Sequence, residues 1–350
     1  MSIEIWQFPS SATKADLIAL LKELGFVEGE NRFWPGPPGT ASLFWAEPKD
    51  FISTSGVDAS VFPLDDSGKK AWNTSNAWAL RTRTAAWATS FDRDFQNKTV
   101  RRVRQAFGGA FHNDHCGRNR YIVITPRKST PASRGVYGVL TRVLTELDNL
   151  EYALPPAMAY QLVTPKGIIT DENDQTGLLE VTKKFDPARV MLNALVPFLV
   201  ASIEHFFRES FEILLRYDPP ACRKLEDLNR KASLADVVAV SRGELSVEEI
   251  VSGWYSFQSI DGIRKAFDEV LGIDIARVLR QRKKVRRRAP MLQTFLAGLI
   301  QRRHGVIHHF SLDRGLDRDQ FLDLLQATRT VLRSAANEIE RKLGTPLGPG

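Results

Sequence analysis

Apolar and polar residues follow two different rhythms along this chain. In Ser11–Leu24 the apolar positions recur at helical spacing, and Gly25 stands where a helix C-cap belongs. Ser42–Trp45, Val57–Phe62 and Ala77–Thr89 read as strands; in the last, Trp78, Leu80, Thr82 and Thr84 share one face. Asn97–Phe107 predicts a helix stopped by Gly108-Gly109, Tyr121–Thr125 a short buried strand, and Val136–Leu150 a second amphipathic helix. Tyr160–Thr164 could add one more strand. Helical and strand patterns mixed in this way predict an α+β domain over residues 1–180.

After Pro165–Gln175, which carries Gly167 and the acidic run Asp171–Asp174 and reads as a boundary or exposed hairpin, the rhythm changes. Pro187–Tyr217 predicts a long apolar helix that opens on proline, with Pro197 as a kink, and stops at Asp218-Pro219-Pro220. Leu225–Ala239, Ser246–Trp254, Gly262–Leu271, Ala289–Ile307 and Asp317–Leu343 follow as helices. The expectation is a multidomain chain: an α+β N-terminal domain, an all-α bundle over 187–343, and a flexible tail over 344–350.

Composition changes this picture little. Of 350 residues 43% are hydrophobic and 25% charged, which argues against disorder. Two cysteines exclude a disulfide framework, and the start of the chain does not read as a signal peptide. The most apolar stretch, Val190–Ile203, falls short of the ~18 residues of a membrane span. A soluble, cytoplasmic protein without a membrane partner is expected.

Charge changes it more. Residues 1–180 hold 20 basic and 20 acidic side chains, whereas 181–350 hold 28 and 21, so the second half supplies the whole net charge of +7. Eight basic residues and no acid lie in Arg277–Arg288. Such a run is either a solvated face or a strip that contacts phosphate. Arg280, Arg282, Lys283, Lys284, Arg286, Arg287 and Arg288 are the candidate RNA contacts.

Candidate chemistry lies just beyond that run. The helix predicted after it carries Leu292, Leu296 and Leu299 on one stripe, and Arg303 falls within about 20° of the same line. A guanidinium on a packing stripe needs an acceptor, either an internal acid such as Glu204 or a phosphate. His304, His308 and His309 follow, with Gly305 between them as a residue that loosens the turn. Imidazole can move protons at neutral pH, and guanidinium can hold a charged phosphorane. The bland reading makes His308 a helix C-terminal residue favoured by the macrodipole.

At these residues the chain resembles the HEPN superfamily, in particular its RiboL-PSP-like branch, which is marked by arginine, a polar residue, and histidine after four to six positions. Arg303, His304 and His308 match that pattern, and His309 stands at the next permitted spacing. Leu195–Leu214, an apolar run broken by Glu204, resembles the family's first helix, and Tyr255–Asp274 resembles its middle segment. The resemblance implies a homodimeric, metal-independent endoribonuclease that needs no cofactor. In that chemistry the 2′-OH of RNA attacks the neighbouring phosphate and leaves a 2′,3′-cyclic phosphate. It implies catalytic roles for Arg303, His308 and His304, and supporting roles for Glu204 and His309. Proteins of similar arrangement serve bacterial antiviral defence as abortive-infection effectors or toxins, so residues 1–180 would answer a phage-derived or other trigger ligand. The alternative is a catalytically silent HEPN module that binds RNA or protein.

Other clusters carry less. His112, Asp114, His115 and Cys116 lack the second ligand group of a zinc site and read as a hairpin-like loop. Six of seven tryptophans lie before residue 90, where packing is the default and a recognition surface the sharper option. Arg101–Arg104 reads as a solvated face, and no glycine pattern has phosphate-loop spacing.

Overall fold

The computed structural model describes residues 2–29, 34–124, 129–154, 162–164, 167–169, 177, 187–226, 230–286 and 289–348. The chain forms two compact units, Met1–Gly138 with Thr345–Gly350, and Val139–Gly344. The division falls inside a helix at Gly138–Val139, well before the segment at Pro165–Gln175, most of which lies outside the described residues. The last residues, expected as a free tail, group with the first unit.

The first unit is a seven-stranded antiparallel sheet: β1 (Ile3–Phe8), β2 (Val27–Glu28), β3 (Ala41–Trp45), β4 (Val57–Pro63), β5 (Trp78–Thr84), β6 (Ala110–Asn113) and β7 (Gly117–Arg118), in the order β2-β3-β4-β5-β1-β6-β7. Helices α1 (Lys14–Glu23), α2 (Asp66–Trp72) and α3 (Ser90–Phe107) accompany it. Capping boxes Thr13/Asp16 and Thr89/Asp92 start α1 and α3, which places the start of α3 seven residues before the predicted Asn97. Leu17, Leu20 and Leu21 of α1 pack with Leu43, Val57, Ala59, Val61, Leu80 and Val103. Gln96 and Gln7 stitch α3 to the sheet, Gln96 Nε2 donating to the Thr82 carbonyl (3.1 Å) and Gln7 Nε2 to the Val100 carbonyl (3.0 Å).

The interior strand β1, between β5 and β6, was not evident from the pattern, because Trp6 and Phe8 make its second face apolar and erase the alternation. On that face Trp6, Trp34 and Phe62 meet edge to face, and the buried Arg81 guanidinium bonds Glu4 beneath the Trp6 and Trp34 rings. Trp72 stacks on Phe8, and Trp45 stacks on Phe95. Tyr121–Ile124 is not a strand. Ile122 is buried, but its backbone N–H and C=O bond the Asn97 side-chain amide on α3 (3.1 and 2.9 Å) in place of a neighbouring strand. His112 and Asn113 end β6, and Asp114–Cys116 make the hairpin turn into β7, with Asn113 Oδ1 accepting from the His115 and Cys116 backbone.

Helix α4 (Pro131–Tyr152) spans the division, and a short hairpin of β8 (Leu162–Thr164) and β9 (Gly167–Ile169) follows it. Among the described residues the second unit continues as helices: α5 (Pro187–Arg216), α6 (Pro219–Glu226), α7 (Leu234–Ser241), α8 (Val247–Ser252), α9 (Ile260–Arg264), α10 (Ile275–Leu279), α11 (Leu292–His309) and α12 (Arg318–Leu343). The chain is therefore α+β followed by a helix-rich half. By length and composition α5 could cross a membrane, contrary to the short span read from sequence, yet Leu192, Val196, Leu199, Ile203, Phe206, Phe207 and Phe211 are buried within the fold. Phe207 meets Phe267, and Phe211 meets Tyr255 and Phe257.

The single helix predicted over Leu225–Ala239 is two, α6 and α7, because Ser233 and Asp236 form a capping box that starts a new one. After α9 the chain widens into a π-helical turn, Lys265–Leu271, ended by Gly272 at φ 63°. Gly262 lies against the preceding turn so closely that a Cβ there would sit 2.0 Å from the Ser256 carbonyl oxygen.

Candidate functional site

Helix α11 follows Pro290, and its apolar stripe Leu292, Leu296 and Leu299 is buried at i, i+4 and i+7. Arg303 continues that line half-buried, as the spacing predicted. Among the described residues it has no ion pair, and Glu204 does not meet it. The Glu204 carboxylate instead accepts from Arg208 Nη2 at 2.8 Å, one turn along α5.

Gly305 does not loosen the turn; α11 runs unbroken to His309. His304, His308 and His309 are all exposed and clustered, with ring centroids 4.6 Å apart for His304–His308 and 5.1 Å for His304–His309. Arg303 and His308 are five residues apart on this continuous helix, as are His304 and His309, whose ring centroids lie 5.1 Å from each other. The imidazoles are exposed and clustered, and the half-buried arginine emerges from the edge of the packed seam.

The helix stops at Phe310, held left-handed (φ 49°) with its N–H on the Gly305 carbonyl. The loop beyond is tied to the start of α5: Asp313 N donates to Asn193 Oδ1 (2.8 Å), and Asn193 Nδ2 returns to the Asp313 carbonyl (2.9 Å). Arg302 pairs with Asp313 at 3.3 Å, and Arg189 donates to the Arg314 carbonyl. These bonds bring the first turns of α5, with exposed Val190 and Met191, next to the end of α11, where Ile307 (48% exposed) and Phe310 (84%) also face solvent.

The basic run lies at the other end of that helix. Arg282 bridges Met291, and Lys283 N donates to the Pro290 carbonyl (3.3 Å), beside the first residue of α11. At 1.5 Å per residue Arg303 is ~18 Å along the axis from Met291, and His308 ~25 Å. Arg286 is committed elsewhere: its guanidinium pairs with Asp319 (3.2 Å) and Asp323 (3.1 Å) at the start of α12. Its own backbone is left-handed at φ 48°, so it acts as an anchor for the loop and not as a free phosphate contact. Arg277 is likewise paired with Glu338. Arg280, Arg282, Lys283 and Lys284 remain exposed, and Arg287 and Arg288 lie outside the described residues.

Sequence reasoning missed a second polar concentration, where Arg277, Gln281 and Lys283 face Ser334, Asn337, Glu338 and Arg341 of α12 around a pocket of about 240 Å³. Its one sequence signal is Glu338, an acid on the apolar line of α12 that runs through Leu332, Ala335 and Ile339. Among the described residues, no group of three or more His, Cys, Asp or Glu side chains is placed to hold a metal ion. His112 instead sits beside the Trp72 ring, 5.5 Å between centroids.

Comparison with family models, curated proteins and solved structures finds no match for this chain.

Proposed function

We propose that this protein is a cytoplasmic, metal-independent endoribonuclease of the HEPN type, working as a homodimer and controlled through its N-terminal α+β unit in response to a phage-derived or other ligand. The observation that carries the reading is the end of α11: a half-buried arginine without an acid partner among the described residues, beside three exposed, clustered imidazoles. A buried acid beside Arg303 would have given the guanidinium a structural purpose; with none among the described residues, the cation suits a phosphate.

Transesterification of RNA needs three things: a base for the 2′-OH, an acid for the departing 5′-oxygen, and positive charge on the pentacoordinate phosphate. His308 and His304 supply proton carriers within one cluster, with His309 in support, and Arg303 supplies the fixed charge. One chain supplies one such arginine-histidine set, so pairing across a two-fold interface would bring two sets into one cleft. Exposed Val190, Met191, Ile307 and Phe310 border the same end of the helix and suit a partner surface. Glu204, held by Arg208, then acts at most through neighbouring charge.

The test is cleavage of RNA by the purified protein in EDTA. Wild type is expected to give 2′,3′-cyclic phosphate ends and to leave DNA intact, while Arg303→Ala and His308→Ala lose activity by about 10²-fold or more. RNA binding without cleavage in the presence of candidate triggers favours the silent binding module instead. Cleavage that depends on divalent metal sinks the mechanism.

A further inference from the structure

We infer that the pocket between α10 and α12 is a second anion site, built for one phosphate and the nucleoside attached to it. Three cations converge there, Arg277, Lys283 and Arg341, against a single acid, Glu338, for a local charge of +2. Glu338 is 4% exposed and bonded by both arginines: Arg277 Nη2 donates to Oε2, and Arg341 Nε (3.1 Å) and Nη2 donate to Oε1. The two guanidinium groups hold its carboxyl below the usual range, the Arg341 bond contributing most, so it stays ionised.

Burying one carboxylate between two arginines fixes their orientation before any ligand arrives. A guanidinium has five N–H donors. Arg277 gives one to Glu338 and Arg341 gives two, so seven N–H groups on two half-exposed, oriented side chains remain for a ligand. Such preorganised forks match the paired oxygens of phosphate better than a mobile lysine does. The remaining lining is Val278 and three neutral, bifunctional groups: the amides of Gln281 and Asn337 and the hydroxyl of Ser334 each both donate and accept. That combination suits the sugar or base edge of a nucleotide more than a bare inorganic ion.

The phosphate could belong to a free nucleotide or to an RNA strand; the second source rests on the ribonuclease reading, the first does not. Full-length protein is titrated calorimetrically at low salt with inorganic phosphate, adenosine 5′-monophosphate and a 2′-O-methyl oligoribonucleotide, which lacks the attacking hydroxyl. The variants are Lys283→Ala and Asn337→Ala, exposed side chains that do not bond Glu338, so the arginine clamp and the helices stay intact. Each is expected to weaken binding about tenfold, the worth of one good hydrogen bond to a charged ligand. Asn337→Ala separates a shaped site from loss of charge, because it removes none. Weakened binding of the mononucleotide in Asn337→Ala assigns a free nucleotide; weakened binding of the oligonucleotide alone in Asn337→Ala assigns a phosphate of the strand, since loss of Lys283 weakens the oligonucleotide through the basic strip as well. Failure of all three probes to bind, or binding that Asn337→Ala leaves unchanged, overturns the inference. Absence of RNA cleavage by wild type would count against the nuclease and leave these titrations unaffected.

Discussion

Replacing Arg280, Arg282, Lys283 and Lys284 together by alanine should flatten the salt dependence of RNA binding by a predictable amount. Each phosphate neutralised on a single strand contributes about 0.7 to the slope of log K against log salt, so four exposed contacts contribute ~2.8. Over a fourfold rise in salt that is roughly a fifty-fold difference in affinity loss between wild type and variant. The four side chains are exposed and free of ion pairs among the described residues, so the bundle should remain folded by circular dichroism. Arg286→Ala provides the contrast. Its guanidinium bonds Asp319, Asp323 and the Asp319 carbonyl, so the change should alter the slope by well under 0.7. It should instead lower stability, since the loop loses its bonds to the start of α12. Fluorescence anisotropy with an uncleavable oligonucleotide over a salt series gives the slopes, and urea unfolding gives the stability. A slope change for Arg286→Ala equal to that of each strip residue, or an unchanged slope for the quadruple variant, would refute the division of the run into contacts and anchor.

Three further outcomes are expected. Arg329 on α12 is 7% exposed and bonds Asp148, Glu151 and the Leu147 carbonyl of α4; Arg329→Met should cost about 2 kcal/mol, because the freed acids reach solvent. Asp148→Asn with Glu151→Gln strands a buried cation and should cost more, about 3–5 kcal/mol, and equal or reversed costs by chemical denaturation would contradict this. Gly262→Ala forces a Cβ to within 2.0 Å of a backbone carbonyl and should destabilise by about 1–3 kcal/mol, with hydrogen exchange rising first across 255–271. Burial raises the carboxyl pKa of Glu212 above its ordinary value, against the Ser252 hydroxyl that donates to it at 2.5 Å. The folded chain therefore holds this proton to higher pH than the unfolded chain, and the group's contribution to stability falls as pH rises from about 4.5 through the folded value. Glu212→Gln keeps an acceptor for Ser252 and should remove that fall; an unaltered pH profile of unfolding would show that Glu212 is not its source.

Much of the architecture was legible because burial imposes a period. The stripes on α1, α5, α11 and α12 follow the apolar residues that fill the core, and so does the half-buried position of Arg303 on the Leu292–Leu299 line. Elements failed to read where something other than hydrophobic spacing decided them. Strand β1 presents apolar side chains to both faces, so its period vanished. Ile122 satisfied its backbone with the Asn97 amide, an interaction between residues 25 apart in sequence. The start of α7 was set by one serine-aspartate cap, which interrupts an otherwise helical stretch.

The candidate site divides along the same line. Composition and spacing alone placed the arginine, the three histidines and the eight-residue basic concentration within one stretch of chain, since those are properties of order along a polymer. Only the tertiary structure decided which of those charges are free. Arg277 and Arg286 are neutralised by acids on α12 that lie 61 and 33 to 37 residues away, a distance over which sequence carries no pairing information. Order along the chain already set the basic strip before α11 and the histidines at its end; the fold adds that the strip is bridged to the residues that open that helix. A helix converts twelve to seventeen residues of separation into ~18–25 Å of rigid spacing, and the fold alone says which side of that rod each charge occupies.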